Sequence, residues 1–169
     1  MSADTPPLPE HPRPTLLRGN TSDREFGNGS TWKTLNGLWQ WEPATSEEPP
    51  VGKTLSNSIL VPFPIESCLS GVAPNSSAAF VNRSWYRLVV SVSATPAHRL
   101  ILHLEAVNWM ASVYINGKLA ANHTGGYDRV SVDLSPALHT SSTTPGGGAQ
   151  IELIVGVYNP ADHGAQPNG

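Results

Sequence analysis

Ala111-Ser112-Val113-Tyr114-Ile115-Asn116-Gly117-Lys118-Leu119-Ala120-Ala121 holds an Asn-Gly pair between two short alternating runs. Asn and Gly both accept the positive φ of a type I′ turn, whose twist matches that of the flanking strands, so the stretch predicts a tight β-hairpin. Period-2 alternation continues outward from it. Val130, Val132 and Leu134 share one face of the next run, and Ile151, Leu153, Val155 and Val157 share one face of the run from Ile151 to Tyr158. Further strands are expected over Trp32–Glu42, Ser58–Pro62, Trp85–Ser93 and Arg99–Leu104. The intervening stretches 43–53, 66–82, 95–98 and 136–149 are rich in Pro, Gly and Ser and read as connections. No segment has the 3.6-residue period of a long helix. Seven or eight short strands without a repeat predict an all-β chain, an antiparallel sandwich of the jelly-roll type.

The 169 residues fit one domain, and 15 Gly with 16 Pro suit a loop-rich β fold. Charged residues make up 14% and hydrophobic residues 38%, so the chain can bury a core. With a net charge of −3 and no basic block, it lacks the counterion-release term that drives nucleic-acid binding and the polybasic handle for an anionic membrane. No run reaches the roughly 18 apolar residues of a membrane span. Met1–Pro14 has neither a basic nor an apolar signal region and reads as a Pro-rich tail. Cys68, the single cysteine, has no intrachain disulfide partner and is expected as a buried small hydrophobe.

Five tryptophans, Trp32, Trp39, Trp41, Trp85 and Trp109, admit two readings. Indole stacks on the apolar face of a sugar, and it also fills a sandwich core; packing is the favoured reading for each. Motifs for hydrolytic chemistry are missing: there is no G-x-S-x-G, H-E-x-x-H or Cys-x-x-Cys, and no phosphate loop. His11, His98, His103, His123, His139 and His163 are scattered singly, which disfavours zinc, and no cofactor is called for. Glu105, Asp128, Asp133, Glu152 and Asp162 are the candidate carboxylates. A retaining glycosidase needs two about 5 Å apart, but Asp133 and Glu152 fall on polar strand faces where solvated surface is the expectation.

Asn20, Asn28, Asn75, Asn82 and Asn122 each open an N-x-S/T sequon. Random placement of this Asn and Ser/Thr content gives about two, so the five are an excess that leaves a secretory route open.

The motifs also come in a recognisable order. His11-Pro12-Arg13-Pro14 is followed by Leu35-Asn36-Gly37-Leu38-Trp39, then Val61-Pro62-Phe63-Pro64-Ile65-Glu66-Ser67 and Trp85-Tyr86-Arg87. Next come Leu104-Glu105-Ala106-Val107-Asn108-Trp109, the Asn116-Gly117 hairpin, His123-Thr124-Gly125-Gly126-Tyr127-Asp128, Val132-Asp133-Leu134 and Asn159-Pro160-Ala161-Asp162. Over most of the chain, from His11 onward, this series resembles the N-terminal sugar-binding domain of glycoside hydrolase family 2, the β-galactosidases, β-glucuronidases and β-mannosidases.

The resemblance implies a galactose-binding-like jelly roll at residues 19–162, after a tail at 1–18. Residues 163–169 match the start of the linker to an immunoglobulin-like sandwich and a barrel bearing both catalytic glutamates. Asn168 departs from the basic residue commoner there. The resemblance also implies a carbohydrate partner and a chain that is a non-catalytic part, a fragment, of a glycosidase. Asp162 matches an Asp that, in several members, reaches from the last jelly-roll strand to a sugar hydroxyl, with a turn-forming Asp after Pro160 as the competing reading. The His123–Asp128 loop reads as structural, and Arg87 with Asp128 is a candidate internal pair. Two other functional classes stand beside the glycosidase domain: a free-standing carbohydrate-binding module and a scaffold without sugar affinity.

Overall fold

The computed structural model describes residues 34–72, 81–92, 99–138 and 148–160. Within them run eight strands: β1 (Gly37–Pro43), β2 (Asn57–Val61), β3 (Arg83–Val92), β4 (Ile101–Leu104), β5 (Met110–Ile115), β6 (Lys118–Thr124), β7 (Val130–Asp133) and β8 (Ala149–Tyr158). Among the described residues helix is confined to one 3₁₀ turn, Cys68–Ser70, and one α-turn, α1 (Ser135–Leu138). No helix among the described residues is long and apolar enough to cross a membrane.

Six strands form an antiparallel sheet in the order β2-β1-β3-β8-β5-β6, and β4 pairs with β7 in a second sheet. The long β3 and β8 form its spine, paired without a break from Arg83 opposite Tyr158 to Val92 opposite Ala149. Alternation assigns the faces. Val130, Val132 and Leu134 from the small sheet meet Ile151, Leu153 and Val155 from the large one, all buried, with Val157 packed at the margin. Trp39, Trp41, Ile59, Val113 and Leu102 complete this inter-sheet core. The result is the expected sandwich, whose apolar face is read directly from the period-2 pattern.

The hairpin turns at Asn116 (φ 48°) and Gly117 (φ 77°), the left-handed pair that its sequence predicts. Between Val113 and Tyr114 the register shifts, so that Tyr114 pairs with Leu119 and Ala120 is the extra residue of a bulge. Strand limits differ from expectation at the N-terminal ends: residues 34–36 precede β1 as coil, and Arg99 and Leu100 precede β4. Trp32 and the tails at 1–18 and 163–169 lie outside the described residues.

Part of the other face of the large sheet is covered as well. Between β1 and β2 the chain folds back so that Leu55 is buried against Trp85 and Ile154, flanked by Ala44 and Tyr114. Trp85 meets Tyr114 edge to face at 6.1 Å. Gly156, directly opposite Trp85 in the register, leaves the space the indole occupies; a Cβ there would lie 2.5 Å from the ring.

Candidate functional site

The end of the sandwich from which the chain leaves β8 gathers four segments. Asn159 N–H donates to the Asn82 carbonyl at 2.8 Å, tying the exit to the entry of β3. Trp109 N–H donates to the Tyr158 carbonyl at 3.2 Å, and Gly125 N–H to the Trp109 carbonyl at 2.8 Å. These bonds bring 105–109 and 125–129 beside the exit. Gly125 has φ of +129°, a conformation an L side chain rarely adopts, and Gly126 lies so close to Asn108 that a Cβ would sit 2.8 Å from its Oδ1. The glycines of His123-Thr124-Gly125-Gly126 are therefore structural, as read from the sequence. They hold Tyr127 outward at 73% exposure and Asp128 in solvent beside it.

His123 Nε2 lies 3.1 Å from the Gly125 carbonyl and braces this loop. On the adjoining sheet face the Arg83 guanidinium stacks over Tyr158 at 4.4 Å and meets Glu47 at 3.1 Å, both exposed interactions of small energetic weight. Pro160 is buried where the described chain ends, and Asp162 lies outside the described residues, two positions further on. His11 and His163 lie outside them too, as do Asn20, Asn28 and Asn75.

Among the described residues, Asp133, Glu105 and Glu152 each have their own arginine partner and Asp128 faces water. Asp133 meets Arg99 at 2.8 Å and accepts the Ser135 N–H at 2.9 Å. Hydrogen bonds from Ser135, then Arg99, hold its carboxyl down to about 2. Glu105 meets Arg129 at 3.1 Å. Glu152 corrects the expectation of a solvated residue: its side chain is only 14% exposed. Arg87 Nε donates to Glu152 Oε1 at 2.6 Å, Gly52 N–H to the same oxygen at 3.0 Å, and Arg87 Nη1 to Gln40 Oε1 at 2.9 Å. Leu55 N–H donates to Gln40 Oε1 at 3.1 Å, so the network straps the β1–β2 connection onto the sheet. Arg87 therefore pairs with Glu152 rather than Asp128. Sequence spacing carries no sign of this pair, because the two residues sit 65 apart and meet diagonally only once β3 and β8 are in register.

Two more expectations are settled by burial. Cys68 is exposed, not buried: in the short 3₁₀ turn it is Ser70 that points inward. Trp39, Trp41 and Trp85 are 5%, 3% and 6% exposed, so these indoles pack rather than line a sugar platform, and Trp109 is half-buried. Burial also pushes the Tyr86 hydroxyl up to about 12. Among the described residues no group of three or more His, Cys, Asp or Glu could hold a metal. A shallow cleft of about 370 Å³ opens at the opposite end, between residues 34–38 and 88–91, with a lining that mixes polar and aliphatic groups.

The fold defines a class: antiparallel all-β sandwich domains. Solved structures similar to it include β-glucuronidases. That of Lactobacillus rhamnosus is 22% identical with a TM-score of 0.62, over 75% of this chain and 21% of that one. A Ruminococcus gnavus β-glucuronidase is 20% identical with a TM-score of 0.60, over 75% and 20% of the two chains, and that of Faecalibacterium prausnitzii is 23% identical with a TM-score of 0.57 over the same shares. The chain thus spans about a fifth of the length of the enzymes whose fold it shares. No protein-family model matches it, and no curated protein does.

Proposed function

We propose that this chain is the N-terminal, non-catalytic sugar-binding domain of a family 2 glycoside hydrolase, serving the hydrolysis of O-glycosyl bonds in a larger enzyme. The observation that carries the reading is the coincidence of two independent orders. The series of short motifs resembles that family's N-terminal domain, and the strands bearing those motifs fold as a part, about a fifth, of β-glucuronidase chains. The carbohydrate partner follows from the same likeness: one of the similar R. gnavus structures is a complex with D-glucaro 1,5-lactone, a sugar-derived ligand.

In this reading the sandwich supplies position rather than bond-breaking. Glu105, Asp133 and Glu152 are each committed to an arginine, which argues against any of them as a free acid or nucleophile. Asp162 is the residue proposed to touch substrate. An ionised carboxylate at the mouth of a barrel accepts short hydrogen bonds from sugar hydroxyls and fixes the ring in its subsite. Against the free-standing binding module stands the burial of Trp39, Trp41 and Trp85, which removes the indoles such a module would need on a concave face.

Kinetics of Asp162→Ala in the complete enzyme test the assignment. Loss of a charge-assisted hydrogen bond is worth about 1.5–3 kcal/mol, so kcat/KM for an aryl β-glycoside should fall about 10- to 150-fold with folding intact. Unchanged kinetics would return Asp162 to a turn former.

A further inference from the structure

The proposed function leaves the sequons unused. Two lie among the described residues, at Asn82 and Asn122, and the fold treats them differently. Asn82-Arg83-Ser84 enters β3 with Ser84 buried at 5% exposure. Asn122-His123-Thr124 lies on β6, the outermost strand of the six-stranded sheet as described. Alternation puts Asn122 and Thr124 on one face, both exposed, with the half-buried His123 turned to the other.

The amide itself is oriented. Ser112 Oγ, directly across in the register, donates to Asn122 Oδ1 at 2.8 Å. That bond engages the carbonyl oxygen and leaves Nδ2 without a hydrogen-bond partner among the described residues. Around it β6 presents Leu119 at 53% exposure, then Ala120 and Ala121, with Lys118 as its one charged side chain. An edge strand of this composition carries little of the charge, proline or length restriction that natural sheets use to block edge-to-edge pairing.

We propose that Asn122 is an N-glycan attachment site. In the transfer, Asn122 Nδ2 attacks the anomeric carbon of an oligosaccharide carried on a polyprenyl diphosphate. The C1–N bond forms as the C1–O bond to the diphosphate breaks; the lipid diphosphate departs with that electron pair, and Nδ2 gives one proton to a base of the transferase. Nδ2 keeps its second proton and Oδ1 is untouched, so the Ser112 bond survives modification and fixes the first sugar at the sheet edge. There a hydrated oligosaccharide covers the exposed Leu119 and stands in the path of an incoming strand.

The test uses the protein isolated from its natural source. Trypsin cuts after Lys118 and Arg129, releasing 119–129 with Asn122 as its sole asparagine. Peptide-N-glycosidase treatment in heavy-oxygen water converts a glycan-bearing Asn to Asp and incorporates the heavy oxygen, which mass spectrometry reads on this peptide. The proposal expects label at Asn122 that depends on the glycosidase. Recovery of 119–129 unlabelled, or label appearing equally without the enzyme, overturns it, whatever the state of Asn82.

Discussion

Gly156 illustrates how much of this sandwich depends on single atoms. Its missing Cβ is the space taken by the Trp85 ring, a rigid group held by Leu55, Ile154 and Tyr114 and with little freedom to move aside. Gly156→Ala should therefore cost about 1–3 kcal/mol in chemical denaturation, against the gain expected from alanine at an open strand site. Asp133 gives a second residue-scale prediction. Its folded-state value of about 2 lies below the ordinary carboxylate range, so its contribution is present above the unfolded value near 4 and fades as pH falls toward 2. Carboxyl NMR titration should place Asp133 near 2, and Asp133→Asn should flatten the acid limb of the stability profile; a titration near 4 would dissolve the account of Ser135 and Arg99. Tyr86 has the opposite signature. Stability should decline as pH rises from about 10 toward 12, and Tyr86→Phe should remove part of that alkaline loss.

At the scale of elements, the Gln40–Arg87–Glu152 network decides where the β1–β2 connection lies. Arg87 is 12% exposed, so removing its partner leaves a guanidinium with little water to solvate it. Glu152→Ala should cost about 3 kcal/mol, while the paired replacement Arg87→Met with Glu152→Leu should recover most of it. A double-mutant cycle measures this coupling; near-additive costs would mean the pair does not hold the strap. The element scale also marks the limit of what the sequence discloses. Period-2 alternation in Val130–Leu134 and Ile151–Val157 and the Asn116-Gly117 turn specify strands and faces locally, because side-chain direction depends only on neighbours along the chain. Arg87–Glu152 depends on which strand pairs with which and in what register, information that no local pattern contains. The same holds for Cys68, whose exposure follows from the phase of a single 3₁₀ turn in an irregular connection.

For the whole molecule, the proposed role divides labour between a sandwich that shapes a subsite and a barrel that breaks the bond. Purified as these 169 residues, the chain should show no turnover of aryl β-glycosides; turnover abolished by replacing one of its own carboxylates would overturn that division. The exit end was legible in part: the loop glycines could be read as turn formers, whereas the gathering of Asn82, Trp109 and Asn159 around Tyr158 appears only in three dimensions. The most direct measurement is the nucleotide sequence of the complete transcript. The account predicts an open reading frame continuing past the Gly169 codon into an immunoglobulin-like sandwich and a (β/α)₈ barrel with two catalytic glutamates. A transcript that encodes the sandwich without any such barrel would contradict it.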